Sequence, residues 1–267
     1  MPHFELLLPP KQKEPAPLIL ILPILGQLLF FTDLWIERMI AHFFVRKGFA
    51  VAILRRDFFQ YLPHHGIEQV GDYLSRTVKQ ARLALDELVQ NPAVDTARIG
   101  SLGISFGGVL SVLLAAEEPR LKACVVALAG GNIPEIIVTS KDPLLSSYCR
   151  ELLQGLRLNR EEFVRELKKD FKEEPLKAAE KINPEKILMV IARFDHVVFP
   201  RYAMALRNAL QKPKTIFVPL GHYFTILVMA YLNRQALAFF KQKFFPSPLK
   251  ESLPAGKEAS RTKNGSR

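Results

Sequence analysis

Residues 103–107 read Gly-Ile-Ser-Phe-Gly and have the clearest chemical potential in the sequence. They follow an apolar run, 98–103, that is typical of a strand, and a helical pattern covers residues 106–117. A serine in such a tight turn needs small neighbours two positions away on either side, and glycines stand at both places. The turn presents the hydroxyl at the N-terminus of the following helix, whose dipole favours negative charge. The pattern therefore predicts that Ser105 is a nucleophile.

A serine hydroxyl also needs a base to remove its proton and an acid to orient that base. In strand-turn-helix elbows of this kind, the acid follows the serine along the chain and the histidine comes last. Asp195 stands just after the predicted strand 187–192, and His222 just after the predicted strand 215–218. Because the carboxyl ends of parallel strands meet at one edge of a sheet, we expect Asp195 and His222 to approach Ser105 there.

Other histidines and acids compete for these two roles. A histidine directly beside the acid shares its loop and precedes the last strand, which makes it a poor base. Two more lie in a loop flanked by proline and glycine, where they face a pocket or solvent, and another falls within a predicted helix. The alternative acids follow strand 123–128 or lie in the helical interval after it. These competitors are His196, His64, His65, His42, Glu135 and Asp142.

The tetrahedral intermediate of acyl transfer needs two backbone N–H donors. One is expected to be the amide of Phe106, directly after the nucleophile. The other is expected in the loop after strand 18–22, where residues 23–26 read Pro-Ile-Leu-Gly and Leu25 is the candidate donor. The alternative role for Leu25 is packing alone.

Short apolar runs alternate with amphipathic stretches along the chain, which is typical of βαβ units and a mostly parallel sheet. This pattern predicts the α/β class, with helices flanking a central sheet. The predicted strands cover residues 18–22, 49–54, 98–103, 123–128, 187–192 and 215–218, and the predicted helices cover 34–47, 67–88, 106–117 and 224–245.

Residues 131–184 interrupt this alternation, because they contain helical stretches and no strand signal. Asp142-Pro143 and the capping-box spacing from Asn159 to Glu162 mark helix starts there. We expect residues of about 132–183 to form a helical lid inserted before the acid-bearing strand. Part of its apolar face is expected to line an acyl pocket, with candidates Ile133, Ile136, Ile137, Leu144, Leu145 and Leu152.

Composition limits the remaining possibilities. The 267 residues suffice for one large core, predicted as a single domain over 1–245, followed by a disordered basic tail over 246–267. Two cysteines without metal spacing favour a reducing, cytoplasmic setting. The net charge of +11 accompanies no nucleic-acid motif, so no nucleic-acid partner is expected. The apolar run 17–31 is too short to span a bilayer, and we consider binding to a membrane surface unfavoured.

From residue 18 to residue 245 the chain resembles the α/β-hydrolase superfamily. Residues 94–108, an Asp…Arg-Ile segment leading into the serine turn, look especially like the dienelactone-hydrolase and acetyl-esterase branch. Residues 192–200 are similar to that branch's acid loop, and Gly221-His222 is similar to its histidine turn. The resemblance implies a serine esterase with the triad Ser105, Asp195 and His222 that works through an acyl-enzyme.

The substrate is implied less closely than the chemistry. Residues 23–24 read Pro-Ile where such families often have His-Gly, and position 105 is serine where dienelactone hydrolases proper have cysteine. We therefore expect a small-molecule ester with a small or medium acyl group, rather than a lactone. No metal or organic cofactor is implied. An acyltransferase that uses the same triad and a non-catalytic binding protein of this fold are the alternatives.

Overall fold

The computed structural model describes residues 3–24, 27–28, 31–55, 68–171 and 174–246. Four predictions fall outside these residues: the oxyanion donor Leu25, the loop histidines His64 and His65, and the tail beyond residue 246.

The centre of the molecule is a twisted sheet of seven described strands. The first strand is antiparallel to its neighbour, and every other described pair in the sheet is parallel. Two short strands, β3 (Gln27–Leu28) and β4 (Phe31–Thr32), pair separately. From edge to edge the sheet runs β1 (Phe4–Leu7), β5 (Ala50–Leu54), β2 (Ala16–Ile21), β6 (Val94–Ile104), β7 (Leu121–Ala127), β8 (Ile187–Ala192) and β9 (Lys214–Val218). The predicted α/β class and mostly parallel sheet are confirmed.

Helices cover both faces of the sheet, as the unbroken apolar runs of the parallel strands require. Helices α2 (Glu68–Leu88), α3 (Phe106–Glu117) and α8 (Pro200–Ala209) contribute to the core on one face. Helices α1 (Asp33–Val45) and α9 (Met229–Phe244) cover the other face.

The last helix is anchored by a cluster of aromatic rings. Phe240 packs edge-on against Phe44 with ring centroids 5.8 Å apart, and Phe244 lies 6.2 Å from Phe49. A Cβ atom at Gly100 would lie only 2.7 Å from the Phe240 ring, so only glycine fits at this strand position. The carboxyl-terminal half of α9 is thereby fixed against the sheet, while its amino-terminal half approaches the end of the sheet that carries Ser105.

The interval between β7 and β8 is helical, as predicted. It contains α4 (Ile133–Thr139), α5 (Pro143–Leu156), α6 (Arg160–Asp170) and α7 (Pro175–Ala179). The Asp142 carboxylate accepts the Leu145 N–H at 2.9 Å, and Asn159 and Glu162 form the predicted capping box. Helix α7 packs on α3 and α8, on the face of the sheet opposite α9. The covering role of this interval over the site remains a prediction.

Candidate active site

Ser105 occupies the sharp turn between β6 and α3. Its backbone is left-handed, with φ 56° and ψ −117°, a conformation that costs a non-glycine residue of order 1–3 kcal/mol. The chain crosses itself closely here: a Cβ on Gly103 would lie 1.9 Å from the Gly107 carbonyl oxygen, and one on Gly107 would lie 2.7 Å from the Leu22 carbonyl oxygen. Both flanking glycines are therefore required by the turn that raises the serine.

The structure brings the three predicted residues into one hydrogen-bonded relay. The Ser105 Oγ lies 3.0 Å from the His222 Nε2, and the His222 Nδ1 lies 2.7 Å from the Asp195 Oδ2. These residues are 117 and 27 positions apart along the chain, and only the parallel strand order places them at one edge. The arrangement lets the imidazole accept the hydroxyl proton while the carboxylate stabilises the resulting imidazolium.

The acid is held firmly by its own loop. The second carboxylate oxygen of Asp195, Oδ1, accepts the backbone N–H groups of Val197 and Val198 at 2.8 and 2.9 Å. The Asp195 and His222 side chains are 3% and 9% exposed. The carboxylate is thus fixed by two backbone donors and faces the histidine with its remaining oxygen.

The competing residues lie outside this relay. His196 is exposed and packs edge-on against Phe199 with centroids 5.8 Å apart, and His42 is exposed in the last turn of α1. Glu135 forms a 2.7 Å ion pair with Lys168. Asp142 caps α5 and accepts the hydroxyl of Tyr223.

The predicted oxyanion donor Phe106 lies in the elbow, directly after Ser105. Phe106 is the first residue of α3, and the first N–H groups of a helix have no intrahelical acceptor. In the loop after β2, the Ile24 N–H donates to the Glu37 Oε1 at 2.9 Å. That amide is therefore occupied, and the predicted second donor, Leu25, follows it directly in sequence.

Glu37 is a residue that the sequence reasoning missed. It is 2% exposed on α1, which is unusual for a carboxylate, and it fixes the start of the loop after β2 through Ile24. A signal was present, because Glu37 lies four and seven positions before Ala41 and Phe44 on the apolar face of the predicted helix.

A pocket of about 90 Å³ opens at Ser105 and His222 and extends between the sheet and helices α1 and α9. Two rows of strand side chains form one wall: Ile104, Ala127 and Val190 lie nearest Ser105, and Leu102, Val125 and Leu188 lie behind them. The opposite wall comes from α1, the 3-10 helix Tyr223–Val228 and α9, through Ile36, Ile40, Thr225, Ile226, Met229, Leu232, Asn233 and Ala236.

The pocket corrects one expectation. None of the described residues of the interval 132–183 lines this pocket, so the prediction that they line the acyl pocket is wrong for the pocket at Ser105. Ile137 and Leu152 instead pack around Phe163, and Ile136 packs on the acid loop. The physical reason is that these helices find apolar partners among themselves and beside α8, on the other side of the sheet.

Two further features of the described residues bear on the chemistry. Within the described ranges, no group of three or more histidine, cysteine, aspartate or glutamate side chains is placed to hold a metal ion. Among the described helices, none combines the length and apolarity that crossing a membrane requires.

Comparisons with solved structures agree with this fold. The chain is similar in fold to the acylaminoacyl peptidase of Pyrococcus horikoshii, with a TM-score of 0.64 and 17% identity over 91% of this chain and 40% of the peptidase. It is also similar to Est1E from Butyrivibrio proteoclasticus, with a TM-score of 0.59 and 19% identity over 88% and 93% of the two chains. The acetyl xylan esterase from Paenibacillus sp. R4 gives a TM-score of 0.61 and 18% identity over 87% and 79%.

Sequence comparison gives the family directly. Among curated proteins, no sequence match is found. A model of the prolyl oligopeptidase family matches residues 68–244, which is more than half of the chain and contains Ser105, Asp195 and His222. The predicted α/β-hydrolase resemblance is confirmed, and the chain belongs to the prolyl oligopeptidase family of α/β-hydrolase serine hydrolases.

Proposed function

We propose that this protein hydrolyses carboxylic esters of small or medium acyl groups through Ser105, His222 and Asp195. The observation that carries the proposal is the complete relay at the mouth of an apolar pocket, with bonds of 3.0 and 2.7 Å. Pocket and relay share Ser105 and His222, so an acyl chain in the pocket brings its carbonyl carbon to the nucleophile.

The reaction proceeds in two acyl-transfer steps. His222 Nε2 takes the Ser105 proton as Oγ bonds to the ester carbonyl carbon, and the carbonyl oxygen becomes an oxyanion. The Phe106 amide donates to that oxyanion, together with a second amide that we assign to Leu25. When the intermediate collapses, the alkoxide leaves with the proton from His222. Water then attacks the acyl-enzyme, His222 takes its proton, and the acid is released as Ser105 is restored.

The pocket supports an apolar acyl group larger than acetyl. Its walls are aliphatic over two rows of strand side chains, and each methylene buried there is worth about 0.8 kcal/mol. Successive residues of a strand rise about 3.3 Å, so the second row, at Leu102, lies roughly 10 Å along β6 from Ser105. We expect kcat/KM to rise with chain length until this depth is filled.

The similar proteins include both a peptidase and an esterase by name, and the chain spans only 40% of the length of the acylaminoacyl peptidase. An ester is favoured here because the strand side chains nearest Ser105, at Ile104, Ala127 and Val190, are aliphatic. The described lining contains no aspartate, glutamate, lysine or arginine that would pair with a charged amino-acid group. Cys124 and Cys149 are both free, buried thiols, which supports the proposal of a reducing, cytoplasmic setting. The partner that we propose is the small-molecule ester itself.

The deciding experiment measures kcat/KM for p-nitrophenyl esters from acetate to dodecanoate, with Ser105→Ala as the matched control. Esterase activity with an optimum beyond acetate, a loss of about 10³-fold or more in Ser105→Ala, and labelling of the wild type alone by a fluorophosphonate would support the proposal. Labelling without hydrolysis, and with acyl transfer to an added alcohol, would identify an acyltransferase. A wild-type protein that neither hydrolyses nor becomes labelled would refute the triad.

A further inference from the structure

Among the described residues that line the acyl pocket, one polar side chain neither takes part in the proposed mechanism nor bonds to another described residue. Asn233, on α9, lines the pocket and is 7% exposed. The other polar lining groups have partners: Ser105 and His222 bond to each other, Thr225 donates to the Gly221 carbonyl at 3.0 Å, and Tyr223 donates to Asp142. These pairings leave Asn233 as the pocket amide whose function is to be explained.

The Asn233 amide has no hydrogen-bond partner among the described residues. No described side-chain nitrogen or oxygen is both fully enclosed and unpaired, so the amide is accessible to solvent, and the cavity is the space that Asn233 lines. A water needs roughly 10–15 Å³ of such space, and the cavity of about 90 Å³ therefore has room for water beside the amide. Its donor and acceptor are available to whatever fills the pocket.

The neighbours of Asn233 on α9 fix its depth. Leu232 packs with Ala127 and Val190, which belong to the row nearest Ser105. Ala236, three residues beyond Asn233, packs in the cluster that contains Leu102 and Leu188, which belong to the deeper row. Asn233 thus borders the middle of the pocket, between the two rows and roughly 3–10 Å along the strands from the nucleophile.

A plain alkyl chain and an oxygenated chain meet this amide differently. An alkyl chain excludes water from the amide and forms no hydrogen bond in its place. Binding is weakened, because a buried polar group without a hydrogen bond costs free energy. A chain with a keto or hydroxyl oxygen at the same depth restores the hydrogen bond. Sites that present a buried polar group discriminate strongly against analogues that lack the matching group.

We propose that Asn233 is a specificity residue that selects acyl chains bearing a hydrogen-bonding oxygen near the middle of the chain. This inference rests on the proposed esterase function and names the substrate class more closely. The amide nitrogen donates to a keto or hydroxyl oxygen, and the amide oxygen accepts from a hydroxyl.

The kinetic test compares p-nitrophenyl octanoate with its 4-oxo, 5-oxo and 6-oxo derivatives. For the wild type, kcat/KM is expected to be about tenfold higher or more for the best oxo ester than for octanoate. Asn233→Leu, which keeps the size and removes the polarity, is expected to abolish or reverse that preference. Asn208→Leu makes the same change at an exposed position of α8 and is expected to keep the preference of the wild type.

Binding provides a readout that does not depend on turnover. Octanamide and 5-oxo-octanamide are titrated calorimetrically into Ser105→Ala, with and without Asn233→Leu, and the oxo compound is expected to bind about tenfold tighter only when Asn233 is present. Equal affinities in Ser105→Ala, or a preference that survives Asn233→Leu, would overturn the assignment of Asn233. Failure of the esterase proposal is a separate result, because it appears as absent hydrolysis of every ester by the wild type.

Discussion

The substitution Asp195→Asn tests the proposed catalytic relay most sharply, because the structure dictates how the new amide must sit. Oδ1 of Asp195 accepts two backbone N–H groups, from Val197 and Val198, at 2.8 and 2.9 Å. An amide nitrogen cannot accept hydrogen bonds, so the oxygen of the asparagine must take this place. The amide nitrogen then replaces Oδ2 and faces the His222 Nδ1, which lies 2.7 Å from that position.

That orientation reverses the histidine tautomer. The asparagine N–H donates to Nδ1, so the imidazole proton moves to Nε2, the atom that lies 3.0 Å from the Ser105 Oγ. A protonated Nε2 cannot take the serine proton. The corresponding change in a serine protease lowers kcat by about 10⁴-fold, equivalent to about 5 kcal/mol of transition-state stabilisation, and we expect a loss of 10³- to 10⁴-fold here.

Stability and activity should separate in this variant. Asparagine keeps both backbone hydrogen bonds and a bond to His222, so the free energy of unfolding in urea is expected to change by only about 1 kcal/mol. Asp142→Asn is the matched control, because it makes the same change at the competing acid, and its activity is expected to stay within about threefold. Activity is measured as kcat/KM on a p-nitrophenyl ester. Retention of more than a tenth of the activity by Asp195→Asn, or a larger loss in Asp142→Asn, would refute the assignment of the acid.

Three further predictions concern the surroundings of the site. Gly103→Ala places a methyl group 1.9 Å from the Gly107 carbonyl oxygen, so we expect a loss of about 3 kcal/mol or more in urea unfolding; wild-type stability would contradict the close crossing. Glu37→Ala leaves the Ile24 N–H without its acceptor and is expected to lower the free energy of unfolding by about 1–3 kcal/mol and to lower kcat. Glu37→Gln keeps an acceptor and is expected to lose less stability and less activity. Equal losses in the two variants would argue against the hydrogen bond. Burial raises the pKa of Cys124 to about 11, so the thiol stays protonated at pH 8 and should react with Ellman's reagent only after denaturation; rapid labelling of the native protein would show that the core is open.

Most of the sheet could be predicted from the sequence because its strands are buried on both faces. Strands β2, β5 and β8 are buried at every position, so each appears in the sequence as a continuous apolar run. The nucleophile turn was also predictable from sequence. The turn leaves no space for side chains at positions 103 and 107, and both positions lie close to Ser105 in the sequence, where glycines are visible. The order of acid and base then follows from the strand order.

The first strand, β1, could not be predicted in the same way. Each of its residues is only partly buried, because it lies at the edge of the sheet and pairs on one side with β5. The start of the last helix was also misplaced: residues 223–228 form a 3-10 helix, in which Thr225 donates to the Gly221 carbonyl, and α9 begins at Met229. A 3-10 segment of six residues is too short for the hydrophobic pattern to separate it from the α-helix that follows.

The position of the acyl pocket follows from where α9 places its large and small side chains. Phe239, Phe240 and Phe244 fill the space against the sheet along the carboxyl-terminal half of the helix. In the two turns before Phe239, the pocket-lining residues Asn233 and Ala236 are smaller or polar. A gap must therefore open at the end of α9 nearest Ser105. The same helix that is anchored by its aromatic rings contributes to the shape and polarity of the pocket. We therefore expect a few positions near its amino-terminal end to decide substrate preference.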